Sequence, residues 1–554
     1  MKLVVVGSGP SAVAAATALV NSEHHVEMLD FGNKLESPAE QLAARIKTHP
    51  ITEADLSILK KGLQDGGDHG GSTHKNQILA LIKLIFGSKP SPDLNKKKQF
   101  GSVFPYKDID EYIPLTKYGL QIPRSLAKGG LSNVWGAACY PLTKEDFHGW
   151  PISKDEMDQH YLAASDILQL DEKNDPLSDL YPVYKPKETN IQLNPQALDV
   201  FKKWCQSRER LNKSGFVFGQ SRLAVLTHEY LGRSACQYCG LCLYGCPHDS
   251  IYNSAFTLDE LRKNRNFGYR SGLFLKRFKE LENGKISVEV EEVKSKKTFQ
   301  IEYDKVFLGA GTLSTLRIVC DSLSRYPSNI PILDNDVFLL PLVKMSDWRD
   351  FDKNVKFTLS QLVLVIRNPA ICSETIHTQL YSYNDYIFER FSPVVDLFPG
   401  IVRRKLNKLM YNMFIMFGYL HSKYSARINA KVMPSSGERV GSIDVDFNEN
   451  PHHKTIIRNL LRDLSHNKKE LDLYPLRVGL KNTEPGFSGH LAGSLPMRKN
   501  PRDFETHSDG RLYGSRCVYI IDQSTFPTLP AQNVTYSAMA NAHRIAVQFL
   551  KNSI

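Results

Sequence analysis

The sequence predicts an α/β fold, and three observations predict it. The chain opens on an apolar strand pattern, Lys2–Val6, that runs into glycines, a helical run and a second short strand. A further strand with its own glycine turn occurs far downstream, in Asp304–Val319, and another, Val518–Ile521, precedes an apolar-faced helix, Thr535–Phe549. Between these lie strand-like runs without glycine turns, such as Gln361–Ile366, His377–Tyr383 and Ser442–Phe447, which suit a separate antiparallel or mixed sheet. The 554 residues are 42% hydrophobic and 23% charged, with 35 Gly and 29 Pro, which excludes a disordered, collagen-like or disulfide-scaffold chain. At roughly 150 residues per domain such a length suggests three to four domains, but large α/β enzymes commonly use two interleaved ones.

The first element carries chemistry. After the strand come Gly7, Ser8, Gly9, Pro10, Ser11 and Ala12, then a helical run Ala12–Val20 and a strand Val26–Leu29 that ends in Asp30. This is the strand, Gly-rich turn, helix, strand, acid order of a Rossmann-type unit. Gly7 permits the tight turn, and Gly9 lets the backbone approach a pyrophosphate. Ala12 replaces the third glycine, where helix and strand pack closely. The helix N-terminus offers unpaired N–H groups to phosphates, and Asp30 is placed to accept from ribose hydroxyls. The motif fits FAD and NAD equally.

The start of the chain has no long apolar run with a small-residue cleavage site, and no stretch reaches the ~20 apolar residues that span a bilayer. The expectation is a cytoplasmic chain, at most peripheral to the inner membrane face. In a reducing compartment nine cysteines argue against a disulfide framework. Cys236, Cys239, Cys242 and Cys246 have C-x2-C-x2-C-x3-C spacing before Pro247, the run used for iron–sulfur ligation. Zinc, or a metal-free turn of small buried thiols, is compatible with the same residues.

The last seventy residues or so narrow the cofactor. GHLAGSLPM (Gly489–Met497) and DGRLYGSRCVYIIDQSTFPTLPAQNVTYSAMANAHRIA (Asp509–Ala546) resemble the closing signature of the glucose–methanol–choline (GMC) family of FAD oxidoreductases. AKGGLSNVWGAACYPL (Ala127–Leu142) resembles that family's flavin-covering segment, in the Trp form of the sugar-oxidising branch of pyranose oxidases and gluconate or fructose dehydrogenase large subunits. GWPISKDEMDQHY (Gly149–Tyr161) fits the same branch, and DKVFLGAGTLSTLRIV (Asp304–Val319) resembles the turn that returns to the cofactor. The resemblance implies FAD held by Gly129, Gly130, Ser132, Asn133, Trp135, Ala310, Gly311, Asp522 and Thr535 beside the N-terminal turn. It implies His490 and Asn533 as the catalytic pair. His490 would take the hydroxyl proton while hydride leaves for flavin N5, and Asn533 would hydrogen-bond the same oxygen. Imidazole suits this role because its pKa lies near neutrality.

Departures refine the expectation. Many members carry a second histidine where this chain has Asn533, and Leu491 stands where proline is frequent. Relatives with covalent flavin attach it through a histidine at the position of Val134, so FAD should be non-covalent here. Some dehydrogenase relatives carry an iron–sulfur centre near the flavin, so the cysteine run favours a dehydrogenase over an oxidase. His160 and His248 are read as surface or local structural residues.

The predicted organisation is a discontinuous FAD-binding domain (1–50, 101–160, 221–325 and 485–554) interleaved with an α+β substrate-binding domain (161–220 and 326–484). A loop or lid insertion (51–100) contains a helix pattern at Ile78–Phe86. The net charge of +11 is concentrated. Residues 397–437 hold seven basic side chains (Arg403, Arg404, Lys405, Lys408, Lys423, Arg427 and Lys431) and no acid, leaving 63 bases against 59 acids elsewhere. So even a remainder gives no support for nucleic-acid binding. Val402, Leu406, Leu409, Met410, Met413 and Phe417 recur at helical spacing, and Leu420–Val432 alternates with His421, Lys423, Arg427 and Lys431 on one face. That segment reads as a membrane-surface helix, as a seat for an anionic substrate, or as a solvated face. The function predicted is FAD-dependent oxidation of an alcohol group of a sugar, polyol or glycoconjugate to a carbonyl, with electrons passed to an acceptor partner. Oxidation of a lipid or sterol-like alcohol at a membrane is the alternative of the same class. A flavin- and cluster-bearing electron-transfer protein is the alternative of another class.

Overall fold

A computed structural model describes residues 1–64, 97–188, 190–346, 356–382, 399–434 and 441–553. The expected helix at Ile78–Phe86 and most of the insertion around it lie outside the described residues. At its start the insertion is not a loop. Glu53–Gln64 is helical, because Leu59 packs against Ala39, Leu42 and Ile46 of the preceding helix Ser37–Thr48.

Five strands form a sheet that is parallel throughout, in the order Val518–Ile520, Lys305–Leu308, Lys2–Val6, His25–Leu29 and Phe267–Arg270. A parallel sheet is covered on both faces, so its strands read as continuous apolar runs. Strand periodicity divides the first strand accordingly. Leu3 and Val5 enter a core shared with the helices Pro10–Leu19 and Val534–Asn552, while Val4 and Val6 enter a second core under a three-stranded antiparallel sheet beginning at Leu273–Glu280. Alanines at 12, 14, 15 and 16 allow the first of those helices to sit close to its neighbours, with no side chain exposed.

A second, seven-stranded sheet is antiparallel. Its order is Leu473–Pro475, Val337–Lys344, Met413–Tyr419, Ile376–Tyr381, Leu362–Ile366 and Phe216–Gln220, with Lys481–Asn482 pairing the far end of Val337–Lys344. The α/β class with a separate antiparallel sheet is therefore what the molecule shows. One face of this sheet, through Phe338, Leu340, Leu364, Leu380, Phe414 and Met416, packs on helices that contribute Trp204, Ile456 and Leu460. The other face carries Gln379 and Tyr381 beside Phe417 and Tyr419, because side chains alternate along each strand and Gln379 pairs with Phe417. Gly418 lies between those two aromatics, where a Cβ would stand 1.9 Å from the Phe338 ring.

The basic segment differs from its expected form. The helix is confined to Gly400–Tyr411, and Met413 and Phe417 belong to a strand. The run 412–419 is apolar and β-branched or aromatic enough to pair at the sheet centre, so tertiary pairing overrides the helical spacing. The strand expected over Leu420–Val432 begins only at Arg427. Before it the chain turns, with the Tyr424 N–H donating to the His421 carbonyl, and Lys423 pairs with Glu374 at 2.8 Å. Among the described residues no helix is long and apolar enough to cross a membrane.

Candidate active site

Two cavities run together through the middle of the chain, sharing the walls Pro10, Ser11, Pro123, Leu131, Gly489 and Gln523. They form one channel. Its first part is lined by Gly7, Gly9, Pro10, Ser11, Asp30, Gly130, Ala310, Gly311 and Asp522. Its second part is lined by Ser132, Trp135, His490, Asn533 and Thr535. Ala12 and Gly129 stand behind these walls, and Asn133 faces a small adjoining pocket.

One side of the first part is formed by the glycine turns, and side chains such as Phe274, Leu275 and Arg317 complete it. Gly7 has φ +92°, and a Cβ there would lie 2.7 Å from the Gly309 carbonyl oxygen, so the close approach of two turns requires the glycine. At Gly9 a Cβ would meet nothing within 4 Å, since that position opens on the channel. The helices Pro10–Leu19 and Thr312–Leu323 start at this part, and Val534–Asn552 starts at the other. Three helix N-termini so placed make the channel favourable for anions. Asp30 accepts from the Ser8 hydroxyl at 2.6 Å and from the Tyr269 hydroxyl at 3.0 Å, both on Oδ2. Burial raises its pKa to about 6, and further donors on Oδ1 would hold it ionised. Asp522, also buried and shifted upward by burial, accepts from the Gly311 N–H at 2.9 Å and Thr315 Oγ1 at 2.6 Å. It ties the turn at Ala310–Gly311 to the end of its own strand.

The Gly129–Gly130 turn is latched from both sides. Ser132 Oγ donates to the Gly129 carbonyl at 2.5 Å, and Asn133 Nδ2 donates to the Gly130 carbonyl at 2.7 Å. Asn253 Nδ2 donates to Asn133 Oδ1 at 2.7 Å, and Ser254 Oγ donates to the carbonyls of Ser8 and Gly129, each at 2.9 Å. The Trp135 indole N–H is spent on the Tyr252 carbonyl at 2.8 Å, so Trp135 serves the channel as an apolar wall. These features make a concave, amide-rich cradle for a dinucleotide, and the residues present fit FAD.

In the second part the orientation of His490 is determined link by link. Asn335, fully buried, donates from Nδ2 to the carbonyls of Leu420 at 2.8 Å and Pro530 at 3.0 Å. Its Oδ1 is thereby fixed toward His490 Nδ1 at 3.1 Å, which makes Nδ1 the protonated nitrogen. Nε2 is left as the acceptor, with Asn533 Nδ2 3.5 Å away. The Asn533 amide is fixed in turn, since Gln379 Nε2 donates to its Oδ1. Tyr419 stacks on the imidazole with ring centres 5.6 Å apart. Burial lowers the His490 pKa to about 4, and the same cause takes His377, behind Gln379, to about 3. Both are neutral at pH 7. A neutral imidazole whose unprotonated Nε2 borders a cavity can accept a proton from a hydroxyl.

The sequence reading did not find Asn335, Gln379, Tyr419, Asn253 or Ser254. Only the last two had a local signal, an Asn-Ser helix start whose Asn253 caps the Ala255 N–H at 2.9 Å. His160 is buried rather than on the surface, with its Nδ1 2.9 Å from that of His543. Lys423, Arg427 and Lys431 line neither part of the channel, so the expected anionic seat does not face it.

The cysteine run, compatible by its spacing with iron–sulfur, zinc or no metal, is not gathered into a metal-holding group among the described residues. All four thiols are free. The reason is packing. Cys239 turns into the small cluster of Leu241, Tyr244 and Phe100, whereas Cys236 and Cys242 pack against the main core. The thiols influence one another's charge, and burial pushes Cys236 up to about 12 and Cys242 to about 11, but they do not converge. The expected metal centre does not fit this arrangement.

Residues 440–542, which contain both His490 and Asn533, match the family model described as GMC oxidoreductase. A comparison with curated protein sequences gave no match. Among solved structures the chain is similar to pyridoxine 4-oxidase from Mesorbium loti, with a TM-score of 0.57 and 13% identity over 99% of each chain, a likeness of fold. The segment that supplies the histidine and asparagine of the channel thus lies within the part of the chain that matches the GMC oxidoreductase model.

Proposed function

We propose that the protein binds FAD non-covalently along the channel and oxidises an alcohol to a carbonyl at His490. The observation that carries this reading is the fixed tautomer of His490, whose Nδ1 is held by Asn335 while Nε2 faces the cavity beside Asn533. Gly9 and the first turn of Pro10–Leu19 would receive the pyrophosphate, and Asp30 the ribose. Ala310, Gly311, Asp522 and Thr535 would border the rest, with Ser132, Asn133 and Trp135 covering it. FAD, when bound, supplies the hydride acceptor. His490 Nε2 accepts the hydroxyl proton, and Asn533 Nδ2 donates to the same oxygen. The Gln379 contact keeps that amide from turning its oxygen toward the substrate. A carrier without alcohol chemistry would have no use for so determined a base.

The walls favour an alcohol with an apolar body over a polyol. Val134, Trp135, Leu243, Phe417 and Phe487 give the cavity an apolar side, where each unpartnered hydroxyl costs roughly 1–3 kcal/mol on burial. Exposed Arg403, Arg404 and Lys405 beside the exposed Ile401 add a specific observation for work at an anionic membrane surface. Preference for a dehydrogenase rests on the cysteine run and loses that support with it. Anaerobic bleaching of the flavin by a panel of alcohols, followed by re-oxidation with dioxygen or a dye, tests the reading. Bleaching by wild type and not by His490→Ala is expected. Equal bleaching by the variant would remove His490 from the mechanism.

A further inference from the structure

Among the described residues, the part of the channel that holds His490 has one cationic side chain in its walls, Lys97, and no carboxylate. Lys97 also borders the adjoining pocket next to Trp135 and Cys242. No carboxylate acts on its ammonium, the Cys242 thiol being the one titratable neighbour that does among the described residues. The contrast with other lysines is clear: Lys128, Lys154, Lys296 and Lys423 each reach a carboxylate within 2.8 Å. A partly buried cation without a counter-ion is costly, and a ligand carboxylate, phosphate or sulfate would supply a charge-assisted hydrogen bond in its place. The surrounding aromatic walls do not compete for that role.

We propose that Lys97 seats an anionic group of the substrate, so that the alcohol presented to His490 has an apolar body and one negative group. This rests on the reading of the cavity as an alcohol site. The seat also explains how so apolar a cavity could choose among alcohols. A hydroxyl common to all of them cannot discriminate, whereas a charge in the wall can.

The test uses the FAD-loaded protein and two pairs of probes. One pair is 4-(hydroxymethyl)benzoate with 4-methylbenzyl alcohol. The longer pair is 3-[4-(hydroxymethyl)phenyl]propionate with 4-propylbenzyl alcohol. Affinity is read from the perturbation of the oxidised flavin spectrum, and turnover from anaerobic bleaching. In wild type at least one carboxylated probe should bind tenfold or more tightly than its neutral partner. In Lys97→Met that ratio should fall to about one, and in Lys97→Arg it should return. A ratio near one in wild type, or an unchanged ratio in Lys97→Met, overturns the seat. Weaker FAD retention in Lys97→Met, with the ratio intact in the fraction still loaded, would show that Lys97 serves the cofactor and also overturns it. Selective binding without bleaching leaves the seat standing and defeats alcohol oxidation. Bleaching with no charge preference does the reverse, and probes that leave the flavin spectrum unmoved defeat both.

Discussion

At one end of the channel one wall is backbone. Gly7, Gly9, Gly130, Ala310 and Gly311 present amides, helix N-termini point inward, and the carboxylates of Asp30 and Asp522 are occupied by donors of the chain itself. At the other end the walls are side chains, supplied by strands of the antiparallel sheet and by the segments that carry His490 and Asn533. A backbone cradle recognises a group that is the same in every relative, so it can be written in a few contiguous letters. A side-chain cavity recognises what differs, and it is assembled from segments hundreds of residues apart.

The sharpest way to break this contrast is to remove the proton acceptor from the side-chain end. His490→Ala should slow flavin reduction by saturating alcohol about 10³-fold, the middle of the range for a positioned general base. FAD content should stay close to wild type, because the substitution leaves untouched the first part of the channel, which would receive the pyrophosphate and ribose. Reduction within tenfold of wild type would sink the assignment. The wild-type pH profile carries a second signature. Burial lowers the His490 pKa to about 4, so the neutral acceptor persists well below the ordinary histidine range, and protonation stops the reaction only as pH falls toward that value. The acid limb should therefore lie below pH 6, measured as the rate of flavin reduction against pH. The neighbouring His377 is neutral over the same window and does not shift it.

The complementary change acts on the backbone end. Asp30→Ala removes the acceptor expected for ribose hydroxyls and leaves Ser8 and Tyr269 without their common partner. Hydrogen bonds to a charged group are worth about 1.5–3 kcal/mol, so FAD affinity should fall roughly 10- to 100-fold. The reduction rate of the fraction that retains FAD should change far less. Dissociation followed by flavin fluorescence checks the first statement and stopped-flow reduction the second. A variant that holds FAD as tightly as wild type would show that Asp30 only braces the turn.

The same contrast explains what could be read in advance. The turn at Gly7–Ala12 and the acid at Asp30 were legible because a parallel strand, a tight turn and a helix start each impose a local residue type. His490 and Asn533 were legible only through likeness of the segment around them, since a lone histidine has no local mark. Asn335 was not legible at all. It lies in the short stretch after the strand Ile330–Ile332, with no periodicity or motif, and its role exists only because folding brings 420, 530 and 490 around it. The helix expected through Phe417 failed for a related reason: spacing is a local signal, and pairing at the centre of a sheet is not.

Asn335 gives a smaller effect that sharpens the argument. Its Oδ1 accepts from Nδ1 of neutral His490, and would accept more strongly from the imidazolium formed as the proton arrives. Asn335→Leu should therefore lower the reduction rate about tenfold at saturating alcohol, by the loss of about 1–2 kcal/mol of charge-assisted bonding. The sign of the pH effect follows: with less support for the cation, the His490 pKa drops further and the acid limb moves to lower pH. A residue that merely fills space would lower thermal stability and leave the limb where it was.

The smallest expected effect concerns the cysteine run, where regular spacing and geometry part company. Iron–sulfur or zinc binding needs thiolates that converge, and metal binding must overcome whatever holds the thiols protonated. Here Cys239 packs into one apolar cluster and Cys236 and Cys242 into another, and burial holds Cys236 and Cys242 as thiols. Cys242→Ser should therefore change the rate of flavin reduction by less than about twofold, as a near-isosteric swap at a residue that lines neither part of the channel. Metal analysis of anaerobically purified wild type and variant decides the matter. Iron or zinc near one equivalent or more in wild type, lost in Cys242→Ser, would mean that the loop reorganises to gather its thiols around an ion. It would then resemble the backbone end after all, as a motif whose spacing alone dictates its ligand. Without that metal, the run is a buried turn whose thiols pack as small apolar side chains.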